Sequence, residues 1–281
     1  MIGHPIGHSL SPPMHTAALA EMAKTDARFA DWSYLPFDVQ PEDLAAALEL
    51  LRERGFLGVN LTVPHKVHAA ALVSELDRAA RDAGAVNTLL AGDGAWRGFN
   101  TDGYGLSAGI REDLGRELRG AAVVLLGAGG AARAAAVQCL RSGCAALWIV
   151  NRTSSSLNAL LAHLAPLAGA VPVRGAAHGS ALAGIPAGAL VLNATSAGRR
   201  PADPAPAAHR ALPGVAAVYD MIYNPPRTRL LAQAQELGMA NANGLGMLVH
   251  QGAKSLEIWT GVPAAKVAPA MRAAAAKALG Y

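Results

Sequence analysis

At 281 residues, with 52% hydrophobic and 16% charged side chains, the chain has room for two domains and is too apolar to stay disordered. A formal charge of +4, with no run of like charges and no basic cluster interleaved with aromatics, gives no electrostatic case for a nucleic-acid partner. No stretch reaches the ~18 strongly apolar residues of a membrane span, and the opening MIGHPIGHSL lacks the basic start and apolar core of a secretory leader, so a cytoplasmic protein without a membrane partner is expected.

In chain order, GHSLSPPMH comes first and sets Ser9 and Ser11 one residue apart. In an extended segment both hydroxyls point the same way, which suits a carboxylate or a polyol. His4, His8 and His15 have no carboxylate or cysteine at ligand spacing, so no metal is expected. PEDLAAALELLRERG reads as a Pro-led helix with Leu44, Leu48 and Leu51 on one face. GVNLTVPHK then reads as a strand whose Val59, Leu61 and Val63 face a core while Asn60 and Thr62 face away, ending at Pro64 and presenting Lys66. A helix is expected near 66–77. AVNTLLAGDGAWRGFN places two short strands around a Gly-Asp-Gly turn, and GFNTDG sets Asn100, Thr101 and Asp102 in a turn before a helix. The alternation favours a parallel-type α/β sheet. Lys66 and Asp102, with Asn60, Thr62 and Asn87, are candidates to line one pocket carrying hydroxyl-binding groups and an acid/base pair.

From about residue 121 the pattern becomes a second, nucleotide-type α/β domain. VVLLGAGGAAR follows a buried strand and opens a helix, the context a dinucleotide fingerprint requires. Gly127 permits the tight turn, Gly129 lets the backbone approach a pyrophosphate, and Ala132 allows close helix packing. The helix N-terminus offers free N–H groups to the phosphates. About 20 residues on, an NAD site carries Asp or Glu. This chain reads IVNRT instead, so Asn151, Arg152 and Thr153 favour a 2′-phosphate and NADP. Cys139 and Cys144 read as small packing residues. Two helices close the chain, and a terminal pair after such a unit commonly folds back on the first domain.

The motifs SLSP, NLTVPHK, AGAVNT, GFNTDG, GAGGAAR, NRT, NATSAG, YDMIYNP and NGLGMLVHQGA, in that order over nearly the whole length, resemble those of the shikimate dehydrogenase family. The resemblance implies an NADPH-dependent reduction of 3-dehydroshikimate to shikimate, on the route to chorismate and the aromatic amino acids. It implies Lys66 and Asp102 as the catalytic pair. Ser9 and Ser11 would hold the substrate carboxylate, Thr62, Asn87 and Gln251 the ring hydroxyls with that pair, and Tyr223 would close on the carboxylate side. The cofactor would rest on Gly127, Ala128, Gly129, Gly130 and Ala131, with Asn151, Arg152 and Thr153 at the adenosine phosphate and Thr195, Met221 and Gly244 along the ribose and nicotinamide end. A discontinuous first domain follows, 1–101 with 244–281 for substrate and 102–243 for the dinucleotide. Many NADP-specific members carry a second basic residue shortly after NRT, where this chain has Ser156. Ser11 favours shikimate over quinate, whose users often have threonine there.

The mechanism expected is hydride delivery to a ketone while the Lys66 ammonium stabilises the growing oxyanion and donates the proton. It asks for a cleft between the two domains, with Gly244 and Gly246 as hinge candidates. The alternatives are a quinate or dual quinate/shikimate dehydrogenase using NAD or NADP, and a non-catalytic NADP-binding sensor. The sequence leaves the oligomeric state open and is compatible with a homodimer.

Overall fold

Short strands alternating with helices build the first of two units into which the computed structural model divides, Met1–Gly105 with Leu248–Tyr281, and Leu106–Met247; residues 1–179, 184–200, 202–206 and 214–280 are described. In the first unit β1 (Ile2–Gly3) is followed by α1 (Ser11–Ala23), β2 (Phe37–Asp38), α2 (Leu44–Glu53), β3 (Gly58–Asn60), β4 (Glu75–Leu76), α3 (Arg78–Ala83), β5 (Thr88–Ala91) and β6 (Trp96–Phe99). A four-stranded sheet runs β3-β5-β6-β4, while β1 pairs in parallel with β2 and bridges Leu61 just beyond β3.

The expected parallel-type sheet is mixed here. β4 runs parallel to β6, but β5 is antiparallel to both β3 and β6. The reason is the Gly-Asp-Gly hairpin, which Gly94 closes at φ 78°: two strands joined by so short a turn must run oppositely, and they occupy the middle of the sheet. The helix expected near 66–77 is also replaced, by a turn, a 3₁₀ segment at His68–Ala71 and β4. Val63 is 70% exposed rather than in the core, because the chain leaves the sheet after Leu61.

Leu44, Leu48 and Leu51 of α2 pack with Ile2, Val59, Leu61, Leu89 and Trp96 on one face of this sheet. Each buried leucine contributes roughly 1.5–3 kcal/mol. The opposite face presents Asn60 and its register partner Thr88. The C-terminal helix α8 (Leu245–Thr260) reaches that strand pair through the Trp259 indole, which donates to the Leu89 carbonyl at 2.8 Å. Gly58 makes room for this indole; a Cβ there would lie 2.1 Å from Trp259 Nε1.

The helix α4 (Asp102–Leu114) leads into the second unit. There β7 (Ala122–Leu126), α5 (Gly130–Arg141), β8 (Ala146–Asn151), α6 (Ser154–Leu164), β9 (Val173–Ala177), β10 (Ala189–Asn193), β11 (Val215–Asp220), α7 (Arg229–Glu236) and β12 (Ala240–Asn243) follow, and α8 (Leu245–Thr260) and α9 (Ala264–Leu279) close the chain. The sheet order is β12-β11-β10-β7-β8-β9 with every pair parallel. Its four inner strands, β11, β10, β7 and β8, read as largely apolar runs because both faces are covered: Val123, Leu125, Leu147 and Ile149 join one core, Val124, Leu126, Trp148 and Val150 the other. The strand order reverses between β7 and β10, the place where such sheets open a crevice at their carboxyl ends. In the first unit α9 packs on α1, which brings the chain's end back to its start.

His15 of α1 is fully buried, stacked on Tyr34 at 3.9 Å between ring centroids, with Nδ1 donating to the Ser11 carbonyl at 2.9 Å. Burial lowers its pKa to about 4. An unfolded histidine takes its proton near pH 6.5, while the native ring holds out to about pH 4, so stability is lost as pH falls through that window. Two outcomes follow. Equilibrium unfolding between pH 7 and 4 should show an acid loss of about 3 kcal/mol that His15→Phe removes, at the cost of lower stability at neutral pH; equal slopes would mean His15 does not resist protonation. Gly58→Ala should cost about 2–4 kcal/mol by displacing the indole and breaking its hydrogen bond. Thermal unfolding with tryptophan emission reads this, and an unchanged Tm would show the indole free to move.

Candidate active site

The turn after β3 and the start of α4 bring two opposite charges together. Lys66 Nζ donates to Asp102 Oδ2 at 2.7 Å, with side chains 28% and 12% exposed. Lys66 follows the turn because the chain leaves the sheet at Thr62, whose N–H still donates to the Ile2 carbonyl. Asp102 begins a helix, where a carboxylate suits the dipole, and its N–H is held by Asn100 Oδ1 at 3.1 Å.

Asn87, just before β5, orients the carboxylate. Its Nδ2 donates to Asp102 Oδ1 at 2.8 Å and to Thr101 Oγ1 at 2.9 Å, and lies 3.4 Å from Gln251 Oε1. Its Oδ1 accepts from the Thr101 N–H at 2.8 Å and from Thr88 Oγ1 at 3.0 Å. Behind it, Asn60 Nδ2 donates to Ser255 Oγ at 2.9 Å and Thr88 Oγ1 at 3.1 Å, and Tyr34 donates its hydroxyl proton to Asn60 Oδ1 at 2.8 Å. Ser255 and Thr88 are 2.8 Å apart and fully buried. Burial raises the Tyr34 pKa, so the phenol stays a donor.

Of the expected substrate-side residues, the structure thus brings together Lys66, Asp102, Asn87 and Gln251. Thr62 sits beside them in sequence, its methyl against Gly3: a Cβ on Gly3 would lie 2.4 Å from Thr62 Cγ2. Ser9 and Ser11 are not in one extended segment. Ser11 is the first residue of α1 and its N–H donates to Ser9 Oγ at 3.2 Å, since Pro12 and Pro13 preset the first helical turn. The Ser11 side chain faces Tyr34. Tyr223 belongs to the second unit, where burial raises its pKa. The sequence reading missed Tyr34, Thr88 and Ser255; nothing about a hydroxyl on a strand or helix marks it as buried until the partner element is known.

At the reversal point of the second unit lies a cavity of about 420 Å³. Gly127, Ala128 and Gly129 after β7, Asn151 and Arg152 at the end of β8, and Thr195 after β10 line it, as does His178, which the sequence reading also missed. Gly130, Ala131, Thr153, Met221 and Gly244 stand outside that lining. Gly127 turns at φ 112° with its N–H on the Val150 carbonyl, and a Cβ on Gly129 or Gly130 would meet nothing within 4 Å, so the loop leaves open space for a phosphate ahead of the α5 N-terminus. Gly244 must be glycine, since a Cβ would lie 2.2 Å from the Met221 carbonyl oxygen. The loop ends are braced by Asp220, fully buried, which accepts from Asn193 at 2.8 Å and Thr228 at 2.6 Å; burial raises its pKa. Asn193 in turn accepts from Thr195 Oγ1 at 2.8 Å. The residues present fit a dinucleotide bearing a 2′-phosphate: an open glycine loop and an arginine where an acid would repel that phosphate. Among the described residues no cluster of three His, Cys, Asp or Glu side chains could hold a metal ion, and no helix is long and apolar enough to cross a membrane.

Comparison with known proteins supplies the family. Residues 1–89 match the shikimate dehydrogenase substrate binding domain and residues 244–276 the shikimate 5′-dehydrogenase C-terminal domain. The shikimate dehydrogenase (NADP(+)) of Rubrobacter xylanophilus is 44% identical over 268 residues, 93% of this chain and 90% of that protein. That of Rhodospirillum rubrum is 43% identical over 277 residues, covering 98% and 95%. The crystal structure of shikimate 5-dehydrogenase from Thermus thermophilus in complex with NADP(H) and shikimate superposes with a TM-score of 0.80 at 35% identity, covering 97% of both chains. With this identity sustained over nearly its whole length, the chain belongs to the shikimate dehydrogenase family.

Proposed function

We propose that the protein is an NADP-dependent shikimate dehydrogenase, interconverting 3-dehydroshikimate and shikimate. The observation that carries the reading is the Lys66–Asp102 ion pair, whose carboxylate is oriented by Asn87 with Gln251 beside it. A ring bearing several hydroxyls needs a group of this kind, with donors and acceptors alternating at fixed positions. Gln251 addresses hydroxyls, Asn87 does so through the Asp102 carboxylate it aligns, and Ser9, Ser11 and Tyr223 are assigned to the substrate carboxylate. A non-catalytic sensor would need the glycine loop but not this polar cluster.

In the reductive direction the ketone oxygen gains charge. Lys66 carries an ammonium to that oxygen, stabilises the charge and donates a proton; in oxidation it takes the proton back. Asp102 uses Oδ2 on Lys66 and Oδ1 on Asn87, and each oxygen keeps a lone pair for a substrate hydroxyl. NADPH, when bound, supplies the hydride. Gly127, Ala128, Gly129, Gly130 and Ala131 would hold its pyrophosphate, Asn151, Arg152 and Thr153 its adenosine phosphate, and Thr195, Met221 and Gly244 the ribose and nicotinamide end. Two free, buried cysteines suit a reducing compartment such as the cytoplasm.

The direct test is absorbance at 340 nm with shikimate and quinate, each against NADP and NAD. Shikimate with NADP should be turned over best; better turnover with quinate or NAD would replace the assignment with the quinate class, and no turnover in any pair would leave a sensor. Lys66→Ala should lower kcat by about 10²–10⁴-fold with NADP binding intact by fluorescence titration. An unchanged kcat would remove lysine from the chemistry.

A further inference from the structure

The phosphate motif after β8 ends in hydroxyls: Thr153, Ser154, Ser155 and Ser156 follow Arg152, so one cation faces the cavity from that strand. A second basic side chain arrives from the neighbouring strand. β9 pairs with β8 in parallel, with Ala177 opposite Asn151. The next residue of each, His178 and Arg152, therefore leaves the same edge of the sheet side by side, about 4.8 Å being the ordinary spacing of adjacent strands. The His178 N–H donates to the Asn151 carbonyl at 3.0 Å, which extends the ladder by one step and fixes where the imidazole starts. Both side chains are exposed and line the cavity with Gly127–Gly129.

Among the described residues the one carboxylate in that lining is Asp203. Its Oδ2 accepts the N–H groups of Gly198 and Arg200, both at 3.1 Å, and these bonds lower its pKa. Its charge is therefore engaged inside its own loop. Among the described residues the imidazole of His178 has no hydrogen-bond partner in the protein, so its ring N–H is available to an anion.

We propose that His178 is a specificity-determining residue: with Arg152 it binds the 2′-phosphate of NADP and supplies the second basic group that Ser156 does not. The inference rests on reading the cavity as an NADP site. It also makes the preference for NADP a property of two strands in register rather than of one loop. A phosphate offers three acceptor oxygens, so a guanidinium and an imidazole approaching from adjacent strands bind it without competing.

The experiment is calorimetric titration of the full chain with adenosine 2′,5′-bisphosphate and with 5′-AMP, probes that carry no nicotinamide and require no turnover. Wild type should prefer the bisphosphate. His178→Ala should weaken bisphosphate binding about tenfold, leave 5′-AMP unchanged, and be rescued by His178→Arg; a hydrogen bond to a charged group, screened at a surface, is of that size. Equal weakening of both probes would make His178 an adenine contact and overturn the proposal, as would an undiminished preference for the bisphosphate in His178→Ala. If wild type itself shows no preference, while Arg152→Ala changes nothing, the NADP reading of the cavity falls and the proposal with it.

Discussion

The site in the first unit depends on a hydrogen-bonded chain that starts at a buried phenol. Tyr34, Asn60, Ser255, Thr88 and Asn87 lead in unbroken steps of 3.1 Å or less to Asp102 and Lys66. Buried polar groups without partners cost several kcal/mol each, so this face of the sheet is tolerable only with its partners in place. Ser255 closes the set, and it comes from α8, 195 residues after Asn60. The C-terminal helix is thus needed for the polarity of the N-terminal sheet to make physical sense.

Asn87 shows how such a chain transmits position. An amide has two donors and two acceptor sites, and here both ends are occupied, so its orientation is dictated rather than chosen. A carboxylate held by an amide that cannot flip keeps one oxygen facing Lys66. The second unit uses the same device with different letters: buried Asp220 holds Asn193 and Thr228, and thereby the loops that follow β10 and β11. In both units the apolar core positions the strands, and a satisfied polar cluster at their ends positions the loops.

Periodicity made much of this legible. The continuous apolar runs of β7, β8, β10 and β11, the glycine turn before α5 and the hairpin of β5 and β6 all appear from local pattern, because each depends on residues close in sequence. Three features did not. Val63 alternates correctly but lies outside the sheet, since strand length is set by pairing partners and not by the run itself. Ser9 and Ser11 read as extended, though two prolines in succession start a helix there. His178 carries no motif at all, and only the register of β9 on β8 sets it beside Arg152. Contacts made across strands or by a returning helix are not local, and a single sequence does not display them.

The pairing of Lys66 with Asp102 is set from both sides of the carboxylate. The carboxylate is itself restrained, because Asn87 donates to the oxygen that Lys66 does not use. What the fold contributes is the 2.7 Å contact between the two groups, held in place by an amide whose own orientation is dictated from both ends.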